Sequence, residues 1–137
     1  MSRKMAEFHC YCSVTRNCVF IPQDREEHVI CRHYFWNAAM DPRYQRERHA
    51  FFFQAVIPSE DLFLNVANAL RSGLPPHEKK GDCYVYLLHF PYDVGYFPYR
   101  RQGRYITNTV KIVCKYRLCQ FCFQHCPSEV KTIYPWT

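Results

Sequence analysis

Nine cysteines and seven histidines are the residues of this 137-residue chain whose types and spacing can do chemistry. They gather toward the two ends. Near the N-terminus, His9, Cys10 and Cys12 are followed by Cys18, then by His28, Cys31 and His33. Near the C-terminus, Cys114 is followed by Cys119, Cys122, His125 and Cys126. Cys119 and Cys122 form a Cys-x-x-Cys pair, a spacing that lets two thiolates reach one zinc ion while nearby backbone amides stabilise the sulfur charge. Such a pair is half of a tetrahedral site. Cys10 and Cys12 can supply the other half, which would join the chain ends through the metal. Cys18, Cys114, His125 and Cys126 are further candidate ligands, because local completion by Cys114 or by His125 and Cys126 competes with the end-to-end geometry.

Two other readings of the cysteines stay open. Free cysteine is among the most buried residue types, so these thiols can simply be small core side chains. Disulfides are the third reading, disfavoured because an odd number cannot all pair within one chain and because a reducing compartment is expected. Cys83 lies among alternating bulky residues and reads as core. His49 and His89 each stand near aromatics and read as hydrogen-bonded or half-exposed residues of the fold.

Catalysis is not expected, and the chain is read as a non-enzyme. A reactive cysteine needs a base and an electropositive setting, and no protease or redox motif surrounds these. The Cys-x-x-Cys pair lacks the βαβ context of a thioredoxin. The chain's four glycines form no phosphate loop. The carboxylates mostly sit beside Arg or Lys, which suits a solvated surface.

A different kind of chemistry is offered by 96–105, where Tyr99 and Tyr105 flank Arg100, Arg101 and Arg104. Rings that stack on bases and guanidinium groups that meet phosphates could make this a surface for single-stranded nucleic acid or another partner. The plainer alternative is a hairpin with a basic tip. Arg43, Arg46 and Arg48 form a second basic run within the charged segment 41–49.

The elements that would position these groups can be read from pattern. The clearest is a helix over about 60–71. Pro58 ends the preceding strand, Ser59 is placed to cap, and Glu60 and Asp61 favour the positive end of the helix dipole. Leu62, Phe63, Val66, Ala69 and Leu70 mark one buried face, and Gly73 supplies a left-handed stop. Asp41 before Pro42 suits a short helix start. Strands are expected at 18–21, 28–31, 51–57, 83–90, 92–99 and 105–116, where β-branched and aromatic residues concentrate. Residues 22–27 read as a charged connection and 74–81 as an exposed loop. The expected fold is α+β, a mainly antiparallel sheet with one well-defined helix and the chain ends joined by a Cys/His zinc site.

Length and composition bound the rest. The chain suits one domain, here a polar arm at 1–6 and a zinc-stabilised domain at 7–137. Aromatics at 18% exclude a disordered chain. No apolar run approaches the roughly 18 residues of a membrane span and no secretory signal is read at the start, so no membrane partner is expected; with no catalytic motif, no small-molecule substrate is expected either. A net charge of +6 is a modest basic excess.

Residues 8–13 with Cys18 resemble a His-Cys-x-Cys-Ser segment of the adenoviral early region four 34K protein family. The order of later features is also similar: 55–58 leading into a helix, the run 84–95, and 108–114 leading to Cys119 and Cys122. The likeness spans roughly residues 8–122. It implies a viral early regulatory protein in the host nucleus, and also in the cytoplasm, acting as an adaptor between viral and host proteins. It further implies recruitment of a ubiquitin ligase against host defence proteins, aid to viral mRNA export, and zinc held by Cys10, Cys12, Cys18, Cys114, Cys119 and Cys122. The helix positions Leu62, Val66 and Leu70 have roughly the spacing of the family's elongin-binding box, but Val66 stands where that box has cysteine. A zinc-dependent nucleic-acid binder of the RNA-silencing or mRNA-export type is the alternative.

Overall fold

The computed structural model describes residues 7–9, 18–34, 41–46, 48–100, 105–118 and 125–137. Its centre is a long hairpin. Strand β8 (Thr109–Leu118) pairs antiparallel with β9 (His125–Trp136) on one side and with β5 (Cys83–His89) on the other. β4 (Glu78–Lys80) closes one edge against β5. On the other edge β2 (Cys18–Phe20) runs parallel to β9, and β1 (Glu7–His9) pairs antiparallel with β2. The six strands lie in the order β1-β2-β9-β8-β5-β4. A second, three-stranded sheet joins β3 (Phe51–Phe52), β6 (Gly95–Tyr96) and β7 (Ile106–Thr107).

The architecture is α+β, and every described strand pair but β2–β9 is antiparallel. The expectation of a single helix is corrected. Two α-helices are present, α1 (Gln23–His33) and α2 (Ser59–Arg71), with a 3-10 turn at Pro42–Tyr44. α1 occupies the segment read as a charged connection followed by a strand at 28–31. The neighbouring β-branched residues Val29 and Ile30 suggested a strand, yet Glu26, Val29 and His33 are the buried positions. Their spacing of three and four is helical. Packing of that stripe against β9 outweighs the weak local propensity.

α2 matches its expected span, with two local corrections. Pro58, not Ser59, is the cap residue: its carbonyl accepts the first helical bond from Leu62 at 3.0 Å, and no side-chain cap bond forms. Ala67 is buried and Ala69 only partly so. The end is as expected. Gly73 takes φ +85, and the Leu74 N–H reaches back to Ala69 while Gly73 N–H reaches Leu70, a double closure that satisfies the last carbonyls. At the 3-10 turn, Asp41 accepts from the Arg43 N–H at 2.9 Å, and Pro42 sits in the first turn.

Leu62, Phe63, Val66 and Leu70 of α2 share one core with Val29 of α1 and with Tyr86, Ile112, Cys114 and Ile133 of the large sheet. The expected strands at 51–57 and 92–99 shrink to β3 and β6, with turns beyond, and 105–116 divides into β7 and β8. The presumed loop at 74–81 holds the exposed edge strand β4. The largest addition is β9, in a tail that carried no strand pattern because Pro127 and Pro135 interrupt it. Among the described residues no helix is long and apolar enough to cross a membrane.

Candidate functional site

The cysteine segments are best located by the strands that bound them. His9, the last residue of β1, pairs with Cys18, the first of β2. β2 lies parallel to β9 with Phe20 beside Glu129, so the first residues of the two strands, Cys18 and His125, lie toward the same end of the sheet. Leu118, the last residue of β8, pairs with His125, the first of β9. The strand ends bounding 10–17 and those bounding 119–124 therefore share one end of the large sheet. Cys10, Cys12, Cys119 and Cys122 themselves lie outside the described residues. Cys18, His125 and Cys126 are located by backbone position.

Cys114 is fully buried in the middle of β8 within the apolar core, where its thiol donates to the Lys115 carbonyl at 3.4 Å. Cys83 is buried at the start of β5 and its thiol donates to Asp82 at 3.3 Å. Burial, then that carboxylate, pushes its pKa up. That is an inert, packed thiol. No group of three His, Cys, Asp or Glu side chains able to hold a metal occurs among the described residues.

Of the basic hairpin, Arg101 and Arg104 lie outside the described residues. Arg100 donates to the Thr137 hydroxyl at 3.1 Å and lies 5.5 Å over the Phe97 ring, so it braces the hairpin against the end of β9. Tyr99 is half-buried and Tyr105 is 49% exposed.

A second site, unread in the sequence, lies where α1, residues 48–50 and the paired strands β8 and β9 meet. It is a cavity of about 480 Å³. From α1 come Arg25, His28 and Arg32, spaced three and four along one stripe, with His33 beside them. Arg48 and His49 come from the loop, and Lys131, Thr132 and Tyr134 from β9. The register explains how two consecutive β9 residues reach one cavity. Val113 pairs with Thr132 but Cys114 pairs with Val130, so Lys131 is the extra residue of a bulge. In a regular strand neighbours face opposite sides; a bulge re-aims one of them.

Four rings form a column along this cavity: Tyr44, His49, His33 and Tyr134, with successive centroids 5.1, 4.9 and 5.8 Å apart and near-parallel planes. His33 Nδ1–H donates to the Ala50 carbonyl at 2.7 Å and His49 Nε2–H donates to the Arg32 carbonyl at 2.9 Å. Burial drives the His33 pKa down to about 3, outweighing that hydrogen bond. Burial also lowers His28 and His49, with Arg32 adding to both. All three are neutral at physiological pH, and the site's positive charge comes from Arg25, Arg32, Arg48 and Lys131. One signal for it was legible: Arg25, His28 and Arg32 have helical spacing, hidden once 28–31 is read as a strand.

No protein-family model matches the chain, no curated protein matches its sequence, and no solved structure matches its fold.

Proposed function

We propose that this chain is a non-enzymatic regulatory domain, stabilised by zinc, that works by binding other macromolecules. The observation that carries the zinc part is the shared sheet end. His9, Cys18, Leu118 and His125 bring the boundaries of both cysteine segments to one end of the large sheet. An ion held there by Cys10, Cys12, Cys119 and Cys122 would tie the short edge strands β1 and β2 to the hairpin. Three-residue edge strands have few ladder bonds of their own, so a metal clamp would contribute much of their stability.

The adaptor part draws its support from the resemblance to the adenoviral early region four 34K family. In that reading the domain joins viral to host proteins in the infected nucleus and connects them to ubiquitin ligase recruitment. The second reading, a zinc-dependent nucleic-acid binder, is favoured by the concentration of Arg25, Arg32, Arg48 and Lys131 around one cavity.

Metal analysis of the purified chain tests the zinc part. About one equivalent or more of zinc is expected, lost on changing any of the four cysteines to serine. Metal-free protein that stays folded would overturn it. Recovery of a stoichiometric protein partner, resistant to nuclease and moderate salt, tests the adaptor part. Binding that vanishes with nuclease would replace it with the second reading.

A further inference from the structure

We propose that the cavity between α1, residues 48–50 and the β9 bulge is a binding site for a chain of phosphate groups. It does not rest on the zinc proposal, and it deepens the second reading, which draws on the same four cations around the same cavity.

The charge arrangement is the first argument. Arg25, Arg32, Arg48 and Lys131 arrive from three separate elements, and among the described residues no carboxylate lines the cavity. Asp24 lies 4.0 Å from Arg25 but is itself largely exposed. Gathering four like charges at one concavity opposes folding unless something offsets the repulsion, and a bound anion does. Three planar guanidinium forks match phosphate oxygens in pairs, which a single point charge cannot do. A lone carboxylate would satisfy one of these groups. Several linked phosphates would engage all four.

The backbone supplies the second argument. The β9 bulge brings Lys131 and Thr132 to the same cavity, a cation beside a hydroxyl donor. The bulge interrupts the pairing of the two central strands, so it weakens the ladder at the place where it aims a cation. Bulges of this kind are features that re-aim side chains at sites.

Rigidity is the third. Arg32 and His49 are joined through the histidine's bond to the Arg32 carbonyl, and His33 ties α1 to Ala50. These two bonds, with the ring column, hold the arginine-bearing helix against the arginine-bearing loop before any ligand arrives. Such preorganisation lowers the cost of binding. The volume, about 480 Å³, falls in the range of roughly 300–1,000 Å³ found for small-molecule and cofactor sites. It is larger than a single phosphate requires. Two sources fit the chemistry: the polyphosphate of a free nucleotide, or consecutive phosphates of a single-stranded nucleic acid.

The test titrates the full chain with three probes: inorganic tripolyphosphate, adenosine triphosphate and a fluorescent single-stranded oligonucleotide. Each titration is repeated at about 50 mM and about 200 mM salt. Wild-type protein is expected to bind tripolyphosphate at one site, and the double variant Arg25→Gln, Lys131→Met to bind it about tenfold or more weakly. Lys79→Gln, a charge loss on the exposed strand β4, is expected to change nothing. Tighter binding of the oligonucleotide than of the triphosphates assigns the source as nucleic acid. Tighter binding of the nucleotide assigns a free nucleotide; the site then stands while the second reading falls. Tripolyphosphate should also raise the thermal midpoint of the wild-type chain more than chloride of equal ionic strength. The proposal is overturned if no probe binds, or if the double variant binds as wild type does. Equal weakening by Lys79→Gln would overturn it too, because the effect would then be one of net charge.

Discussion

His33 and His49 hold each other's segments. Their rings stack 4.9 Å apart, and each donates a ring N–H to the carbonyl next to the other, His33 to Ala50 and His49 to Arg32. Each bond spans 17 residues, so helix α1 and the approach to β3 are joined by a reciprocal pair. The bond from the His33 ring to the Ala50 carbonyl favours the protonated imidazole, and burial opposes it more strongly. Burial dominates its titration.

That pair makes stability depend on pH. His33 is held at a pKa of about 3 in the fold, while an imidazole in the unfolded chain titrates near 6.5. Between those values the unfolded state binds more protons, so stability is full above about pH 6.5 and falls as the pH drops toward 3. By about pH 5 the loss from His33 is about 2 kcal/mol, and the lowered pKa values of His28 and His49 act in the same direction. Urea midpoints at about pH 7.5 and about pH 5 measure it. His33→Asn should flatten the dependence, and an unchanged slope would refute this account.

Tyr34, just past the end of α1, donates its hydroxyl to the Ile57 carbonyl at 2.6 Å and is 7% exposed. Tyr34→Phe keeps the ring and its stacking on Phe52 but leaves that buried carbonyl without this donor. The expected cost is about 1–2 kcal/mol, read as a lower urea midpoint with an unchanged slope. A loss near zero would mean that water replaces the hydroxyl.

Gly95 of the small sheet lies directly against Pro135 of the large one. A Cβ there would lie 2.6 Å from Pro135 Cγ and 2.8 Å from the Phe51 carbonyl oxygen. One of those neighbours is backbone, so the small sheet itself must shift. Gly95→Ala is expected to cost about 1–3 kcal/mol. Gly73→Ala meets open space and carries only the strain of φ +85, about 1 kcal/mol. Paired thermal melts of the two variants should show the larger drop for Gly95.

The cysteines separate by role. Cys83→Ser is expected to retain zinc, because that thiol is packed at the start of β5 with Asp82 as its partner. Cys10→Ser, Cys12→Ser, Cys119→Ser and Cys122→Ser are each expected to lose zinc and to lower the unfolding midpoint. Zinc content that is equal in all five variants would remove the clamp from the account of this fold.

Several elements were legible along the chain because their causes are local. The 3.6-residue spacing of Leu62, Phe63, Val66 and Leu70 and the stop at Gly73 define α2 within a dozen neighbouring residues. Asp41 before Pro42 defines a capped turn, and the β-branched, aromatic run at 83–90 defines β5. Other features depend on residues far apart. α1 is a helix because its stripe packs on β9, against the strand preference of Val29 and Ile30. Lys131 reaches the basic cavity because one strand slips against its neighbour, and a slip belongs to a pair of strands rather than to either sequence. His33 and His49 meet only once a helix and a loop are laid side by side. Periodicity and turn chemistry act between neighbours and can be read from order alone. Register, burial and the company of like charges are properties of packed surfaces, and they exist only after the chain has folded.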